Sequence, residues 1–303
     1  MGLSLMSSQS LSVVLSFFSP VAYELPVRHF HAVVQTLNAQ GVPLVVTQAV
    51  FPGQNPQPVP SSITQANYET KSLLFHKERL WNLGAKLTDS DAIIWLDADV
   101  VFSSTSWLEQ CLKALETADV IQPFTRATWL GKDGKPEMQR HSGAAALERD
   151  ERPSFQHYHA GFGWGMRRET FDQLGGFFDA SVCGNSDSFF MLSLKENKGH
   201  NLNEQYFAHL HDSTIRCSSY KNYKAKALSC DLCVAAPRDV DLLHLWHGSR
   251  RHRQYVSRTK LFPRRADGEF AVHDAENGLQ VWDNEESSNA LVNGYFINKR
   301  DDG

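Results

Sequence analysis

Three short apolar segments in the first hundred residues constrain the fold more than any other feature. LSVVLSFFSP (11–20), PLVVTQAVF (43–51) and AIIWLDADVVF (92–102) have the length and residue content of buried strands. Segments 23–41 and 68–87, which lie between them, carry apolar residues at helical spacing. Apolar strands that alternate with helices are typical of a parallel sheet covered on both faces. The sequence therefore predicts an α/β fold with a doubly wound, mostly parallel sheet.

The remainder of the chain is less regular. SWLEQCLKALETA (106–118) and DVIQPF (119–124) predict one more helix and one more strand, and the polar segment 131–154 predicts a mobile loop. After it, a Gly-rich strand leads into a short helix that begins at Arg167 or Arg168. Because the sequence has neither an internal repeat nor a clear linker, we expect a single domain with an irregular C-terminal half.

Charge and hydropathy exclude some partners. The net charge of −4 gives no overall attraction to nucleic acids or anionic membranes. No segment approaches the ~20 apolar residues that cross a bilayer, and the apolar run near the N-terminus has no basic region before it. We expect a cytoplasmic protein with a short frayed tail up to about Ser10.

The five cysteines do not indicate a disulfide framework, because their number is odd and the chain is long. Cys230 and Cys233 form a CxxC pair, and with Cys217, His209 and His211 they suggest a zinc knuckle. The chain lacks a second CxxC, which favours buried free thiols as the alternative interpretation.

Two aspartates, Asp97 and Asp99, follow the third apolar run. In a strand, alternate residues point to the same side, so the two carboxylates can converge at the edge of the sheet. Carboxylates and substrate phosphates are the usual ligands of Mg²⁺ or Mn²⁺. The alternative is that Asp97 caps a turn and Asp99 lies in solvent.

The surroundings of this pair resemble a known family. WLDADVVF (95–102) resembles the D-x-D signature of nucleotide-sugar glycosyltransferases with the GT-A fold, and KERLWNLGAKLTDSDAIIWLDAD (77–99) is similar to the family 2 arrangement of helix and strand. HAGFGWGMRRETFDQLGGFFDASVCGNSDSFFML (159–192) resembles the Gly-rich segment on the acceptor side of that family. LLHLWHGSRRHRQYVSR (242–258) is similar to the strand that carries a metal-binding histidine in several GT-A families. The blocks occur in the family's order.

This resemblance implies a single GT-A domain over residues 11–262. A Rossmann-like half that binds the nucleotide sugar spans about 11–125, and an acceptor and metal half spans 155–262. Residues 263–303 are then an extension that packs on the domain and contributes packing and surface.

The resemblance also assigns roles. Asp99 is a direct metal ligand, and Asp97 contacts the ribose or binds the metal through water. His247 is a further ligand, and His244 competes with it for that role, the other being a core histidine. Asp187 is the base that activates the acceptor, although Ser186 stands where the family often has Glu.

Each of these has an alternative. Asp187 also fits a helix start, and Asp179 is a second candidate for the base. A further group would contact the donor: Phe17 and Phe18 by stacking on the nucleobase, Trp164 by stacking on the sugar, and Lys77, Arg79, Asn82, Arg250 and Arg251 through the base or diphosphate. Core packing or a solvated helix face are the alternatives for these residues.

The resemblance implies a metal-dependent, inverting enzyme that uses Mn²⁺ or Mg²⁺ and a nucleotide sugar, with UDP-sugars favoured. The acceptor hydroxyl belongs to a saccharide or to a hydroxylated DNA base, and DNA would contact the basic segment 249–265, in which Tyr255 and Phe262 could stack. A non-catalytic module that binds sugar nucleotides or glycans and a nucleotidyltransferase are the competing functions, and the oligomeric state stays open.

Overall fold

The computed structural model describes residues 10–149, 151, 156–196, 213–254 and 257–303. The predictions for His209, His211 and Tyr255 lie outside the described residues. In chain order the strands are β1 (Leu11–Phe18), β2 (Leu44–Val50), β3 (Thr64–Glu69), β4 (Ala92–Leu96), β5 (Val100–Phe102), β6 (Val120–Ile121), β7 (Arg126–Leu130), β8 (Pro136–Ser142), β9 (Tyr158–His159), β10 (Gly163–Arg167), β11 (Val234–Ala235), β12 (Asp241–His244), β13 (Val272–Asp274) and β14 (Gln280–Trp282). The helices are α1 (Glu24–Ala39), α2 (Lys77–Ala85), α3 (Trp107–Leu115), α4 (Gly143–Glu148), α5 (Arg168–Leu174), α6 (Ser186–Ser193), α7 (Ser218–Ser229) and α8 (Glu285–Asn298).

A seven-stranded sheet in the order β11-β6-β10-β4-β1-β2-β3 forms the centre of the fold. β1 pairs in parallel with both β2 and β4, and β2 pairs in parallel with β3. β10 is antiparallel to its neighbours β4 and β6. The predicted α/β fold with a mostly parallel sheet is therefore confirmed.

Alternating side chains of the central strands supply two hydrophobic layers. Val13 and Leu15 of β1 pack with Phe30 of α1 on one face, whereas Val14 packs with Trp81 of α2 on the other. These strands are apolar throughout because helices cover both faces of the sheet, so neither set of side chains meets water.

Two predicted elements differ from the structure. Segment 68–87 is not one helix, because residues 64–69 pair with β2 as strand β3 and the helix begins only at Lys77. Segment 131–154 is not a loop in its described part, because β8 pairs with β7 around a turn at Gly134 (φ +75°) and α4 follows directly. Ser142 caps α4 by accepting a hydrogen bond from the Ala145 amide. The polar composition of segment 131–154 led to the prediction of a loop, because β8 exposes several of its side chains to solvent.

The predicted third strand breaks at the two aspartates. β4 belongs to the central sheet, whereas β5 pairs with β12 in a second sheet of order β5-β12-β7-β8-β9. The turn at residues 97–99 therefore carries the chain from one sheet to the other, at the carboxyl edge of β4. This places both carboxylates between the two sheets.

The C-terminal residues pack on the same body. β13 and β14 form a short hairpin, and α8 buries Val292, Tyr295 and Phe296 against Leu74 and Phe262. In the described parts of the chain, no helix is long and apolar enough to span a membrane. The cysteines described, Cys111, Cys183, Cys217, Cys230 and Cys233, are all free thiols, and the last two are not buried.

Candidate active site

A cavity of about 230 Å³ opens at the carboxyl ends of β1 and β4. Its walls come from the two sheets, the start of α2, the start of α6 and the C-terminal segment. Two backbone hydrogen bonds fix the turn at its base: the Asp97 amide donates to the Phe162 carbonyl (3.0 Å), and the Leu245 amide donates to the Asp99 carbonyl (2.8 Å). The turn is thus anchored to β10 on one side and to the end of β12 on the other.

Asp99 lies against two histidines. Its Oδ2 is 2.8 Å from His247 Nε2 and 3.7 Å from His244 Nε2, and the two imidazole nitrogens are 3.1 Å apart. One potential ligand atom from each of the three residues lies within 4.8 Å of those of the other two. The structure places both histidines beside Asp99, because β12 ends at His244 and the Leu245 amide that follows donates to the Asp99 carbonyl.

This trio fits a divalent cation. Asp99 Oδ1 is buried and has no hydrogen-bond partner among the described residues. Burial lowers the pKa of His244 to about 4, so its imidazole is neutral near pH 7 and can bind metal. Burial alone would raise the pKa of Asp99, but His244 and His247 hold it well below its usual value. A carboxylate and two imidazoles form a donor set that can hold a divalent cation. Asp97 is not part of the trio.

Lys77 connects the two sides of the cavity. Its Nζ lies 3.3 Å from Asp97 Oδ1, 3.4 Å from Asp187 Oδ2 and 3.5 Å from Glu78 Oε1. Burial alone would lower the pKa of Lys77, but the carboxylates of Asp97 and Asp187 hold it well above its usual value. Burial raises the pKa of Asp97 to about 6 although Lys77 opposes this. The sequence predicted Lys77 as a donor contact and did not predict its position between two carboxylates.

Asp187 stands in the first turn of α6, and its side chain lines the cavity. Its Oδ1 accepts from the Ser188 amide (2.7 Å), which leaves Oδ2 facing Lys77. Burial would raise the pKa of Asp187, but the Lys77 ammonium group lowers it, so the carboxylate is ionised near neutral pH. Asp187 thus lies at the start of a helix and also lines the cavity, so the two interpretations of this residue are compatible.

The second candidate base, Asp179, does not line the cavity. Its Oδ2 accepts from Arg79 (3.1 Å) and from Asn82 (2.9 Å). Arg79 also donates to the Gly278 carbonyl, and Asn82 to the Phe177 carbonyl. The structure places Arg79 and Asn82 outside the cavity lining, where both side chains hold the GGFFD turn (175–179) against α2.

The two predicted phenylalanines both line the cavity but differ in exposure. Phe17 is buried against Phe30, with 4.7 Å between ring centroids. Phe18 is half-buried and makes edge contacts with Phe75 and His76. Only Phe18 of this pair has the accessibility that stacking on a nucleobase requires.

Trp164 lies in the core, contrary to its predicted role against the sugar. Its side chain is fully buried, packs on Phe190 with centroids 5.0 Å apart, and donates to the Ala160 carbonyl (2.9 Å). The glycines beside it permit close pairing with β4 and β6, since a Cβ at Gly163 would meet the Trp95 carbonyl at 2.6 Å. Trp164 therefore packs in the hydrophobic core and does not line the cavity.

Replacing Trp164 by alanine is expected to lower the free energy of unfolding by about 3–5 kcal/mol, because it empties a packed core site. Chemical denaturation followed by circular dichroism measures this, and Trp164→Phe should cost less. A Trp164→Ala protein with unchanged stability and weakened nucleotide binding would restore the predicted sugar contact.

The basic segment contributes different arginines from those predicted. Arg250 and Arg251 are exposed and lie outside the cavity, and Arg250 contacts the Met138 sulfur. Arg253 and Arg258 line the cavity instead. A 3-10 turn at Arg250–Arg253 directs Arg253 inward, where it donates to the His247 carbonyl (2.9 Å). The structure therefore places Arg253 and Arg258, and not Arg250 and Arg251, against the cavity.

The C-terminal segment was also missed. Phe296, Lys299 and Asp301 line the cavity, although the sequence assigned this region to packing and surface. Asp301 Oδ2 accepts from Lys299 (2.7 Å), and Asp301 Oδ1 is 3.5 Å from His247 Nδ1. No pattern in KRDDG indicates this proximity, because it depends on the packing of α8 some 200 residues from the aspartate turn.

The proposed zinc knuckle has no counterpart in the described residues. The Asp99 trio is the one group of potential metal ligands found there. Cys217 Sγ instead donates to the Gly268 carbonyl at 3.1 Å. The part of the prediction that involves His209 and His211 lies outside the described residues.

Comparison with known proteins finds a match between one family model and part of the chain. Residues 72–175 match the model of glycosyl transferase family 2. The matched segment contains α2, the aspartate turn and β10, whereas Asp187, His244 and His247 lie beyond it. A search of the curated proteins found no match to the sequence.

Three solved structures illustrate the likeness in fold. The mannosyltransferase PcManGT from Pyrobaculum calidifontis, in complex with GDP-Man and Mn²⁺, is 12% identical, with a TM-score of 0.45 over 80% of this chain and 59% of that chain. GalNAc-T7 with UDP, GalNAc and Mn²⁺ is 14% identical, with a TM-score of 0.43 over 84% and 48%. A variant of Drosophila beta-1,4-galactosyltransferase 7 with manganese, UDP-Gal and xylobiose is 12% identical, with a TM-score of 0.40 over 93% and 98%. The chain thus spans 59% and 48% of the length of the first two.

Proposed function

We propose that the chain is a glycosyltransferase of GT-A fold related to family 2, and that it transfers a sugar from a nucleoside diphosphate sugar to an acceptor hydroxyl with the aid of a divalent cation. The observation that carries this proposal is a single cavity that contains both the Asp99–His244–His247 trio and the Asp187 carboxylate. A donor held at the trio would present its anomeric carbon toward Asp187 across the cavity.

Asp99, His244 and His247 would hold Mn²⁺ or Mg²⁺. When bound, such a cation supplies positive charge opposite the diphosphate, whose negative charge grows as it leaves. Arg253, Arg258 and Lys299 line the same cavity and add fixed positive charge near the diphosphate. Phe18 and Asp97 line the same cavity; the half-buried ring of Phe18 would stack on the nucleobase, and Asp97 would accept a hydrogen bond from the ribose.

The reaction we propose is a direct displacement with inversion. Asp187 Oδ2 takes the proton of the acceptor hydroxyl while the acceptor oxygen bonds to the anomeric carbon. The bond from the anomeric carbon to the diphosphate breaks, and its electron pair leaves with the diphosphate. Lys77 keeps Asp187 ionised before the reaction, since the ammonium group lies 3.4 Å from Oδ2.

The acceptor class we favour is a saccharide. Most of the arginines that suggested a DNA contact have partners within the protein: Arg265 pairs with Asp283, Arg264 lies over the Phe270 ring, and Arg258 is buried. The segment therefore offers little of the continuous exposed charge that a nucleic-acid backbone requires. A hydroxylated DNA base stays as the second acceptor to test.

The proposed function is tested with UDP-glucose, UDP-galactose, UDP-N-acetylglucosamine and GDP-mannose. We expect slow hydrolysis of one donor with Mn²⁺ and none with EDTA, because water can replace the acceptor. Release of nucleoside diphosphate measures the reaction. Binding without turnover of any donor or acceptor would favour a non-catalytic sugar-nucleotide module, and absence of both binding and turnover would contradict the proposal.

A further inference from the structure

Gly161 lines the cavity next to Asp187. A Cβ built at Gly161 would lie 2.8 Å from Asp187 Oδ2 and 2.9 Å from His159 Nε2. The carboxylate and the imidazole thus converge on one small space that only the absence of a side chain keeps open. Gly161 does not need its conformational freedom here, since it is absent from the residues with positive φ.

The His159 imidazole is directed into this space, with its Nε2 2.9 Å from the position of a Cβ at Gly161. Neither imidazole nitrogen has a hydrogen bond to any residue in the described parts of the chain, although the backbone carbonyl of His159 accepts from Gln122 (3.1 Å). The ring is held by Phe162 and Trp129, with centroids 4.3 and 4.8 Å away. Burial lowers the pKa of His159 to about 3, which leaves a neutral ring with one donor and one acceptor nitrogen.

Aromatic side chains continue the wall beside His159. Trp129 and Phe162 line the cavity with their centroids 4.9 Å apart, and Phe162 also stacks on His244 at 4.7 Å. An indole beside hydrogen-bonding groups suits a sugar ring, which has an apolar face and hydroxyls at its edge. The wall runs from the metal trio toward Asp187.

We propose that the space over Gly161 is the acceptor subsite, that it takes a saccharide, and that His159 binds the acceptor at the attacking hydroxyl or its neighbour. The inference rests on the proposed function and extends it. Asp187 receives the hydroxyl proton as before, and His159 exchanges no proton in the step. Its role is to hold the acceptor so that the attacking oxygen faces the anomeric carbon.

The test uses p-nitrophenyl glycosides as acceptors with the donor that the wild type hydrolyses. His159→Ala is expected to lower kcat/KM for the best glycoside by about ten- to a hundredfold, because the acceptor loses a hydrogen bond and its orientation. His159→Gln, which can still donate and accept, should recover part of that loss. The dissociation constant for UDP or GDP with Mn²⁺ should stay within about twofold of wild type, since the loss is confined to the acceptor.

His157→Ala is the matched control, because that histidine is two residues away and exposed. Gly161→Ala provides a second test, since its methyl group would occupy the subsite without any change in charge, and it should raise the acceptor KM more than it weakens nucleotide binding. Thermal unfolding shows whether each variant is folded.

Acceptor kinetics of folded His159→Ala equal to wild type would overturn the inference. So would a wild type that hydrolyses its donor but transfers to none of the glycosides, and the proposed donor chemistry would then survive. A wild type that neither hydrolyses nor transfers any donor would instead contradict the proposed function.

Discussion

Asp99→Ala is expected to abolish Mn²⁺-dependent turnover of the donor and to remove Mn²⁺ binding. Asp99 contributes the one carboxylate of the trio, and its buried Oδ1 has no hydrogen-bond partner among the described residues that would compete with a cation. A loss of about 4 kcal/mol of charge stabilisation at the leaving group corresponds to roughly a thousandfold in rate. Release of nucleoside diphosphate and titration of Mn²⁺ by electron paramagnetic resonance measure the two effects.

Thermal unfolding adds an independent readout for the same variant. A ligand that binds only the folded state raises the melting temperature, so Mn²⁺ should stabilise the wild type and not Asp99→Ala. Asp89→Ala is the matched control, because this aspartate precedes the same strand but is exposed. Equal Mn²⁺ affinity in Asp99→Ala and wild type would remove the trio as the metal site.

The central sheet was predictable because its pattern depends on local residues. β1, β2 and β4 are apolar on both faces, so the sequence alone indicates strands between two helical layers. β8 was missed because a strand that is half exposed at the surface has the composition of a loop. α2 was predicted too long because apolar residues before it, such as Leu74, pack with α8 and have no helical conformation of their own.

The candidate site was predictable only where its residues follow directly from a strand or helix end. Asp99 and Asp187 could be placed in this way. The positions of both histidines depend on how the segment after β12 packs on the aspartate turn, and the contributions of Lys299 and Asp301 depend on how α8 packs. Arg79 and Asn82 were assigned to the donor because a helix face does not reveal whether its polar groups meet a ligand or, as here, Asp179.

Asp187→Asn is expected to lower kcat for transfer by about 10²- to 10⁴-fold, the usual contribution of a positioned general base. The amide has the shape of the carboxylate, and its oxygen can still accept from the Ser188 amide, so the start of α6 should be preserved. Donor binding should persist, because Lys77 retains Asp97 and Glu78 as partners. Initial rates of transfer and the dissociation constant of the nucleotide with Mn²⁺ separate the two effects.

Asp179→Asn is the control that discriminates between the two candidate bases. This carboxylate is held by Arg79 and Asn82 outside the cavity, so its replacement should affect stability more than kcat. If Asp179→Asn stops transfer in a folded protein while Asp187→Asn does not, the base has been misassigned. If Asp187→Asn loses nucleotide binding together with transfer, the carboxylate acts on the donor side, through Lys77, and not on the acceptor hydroxyl.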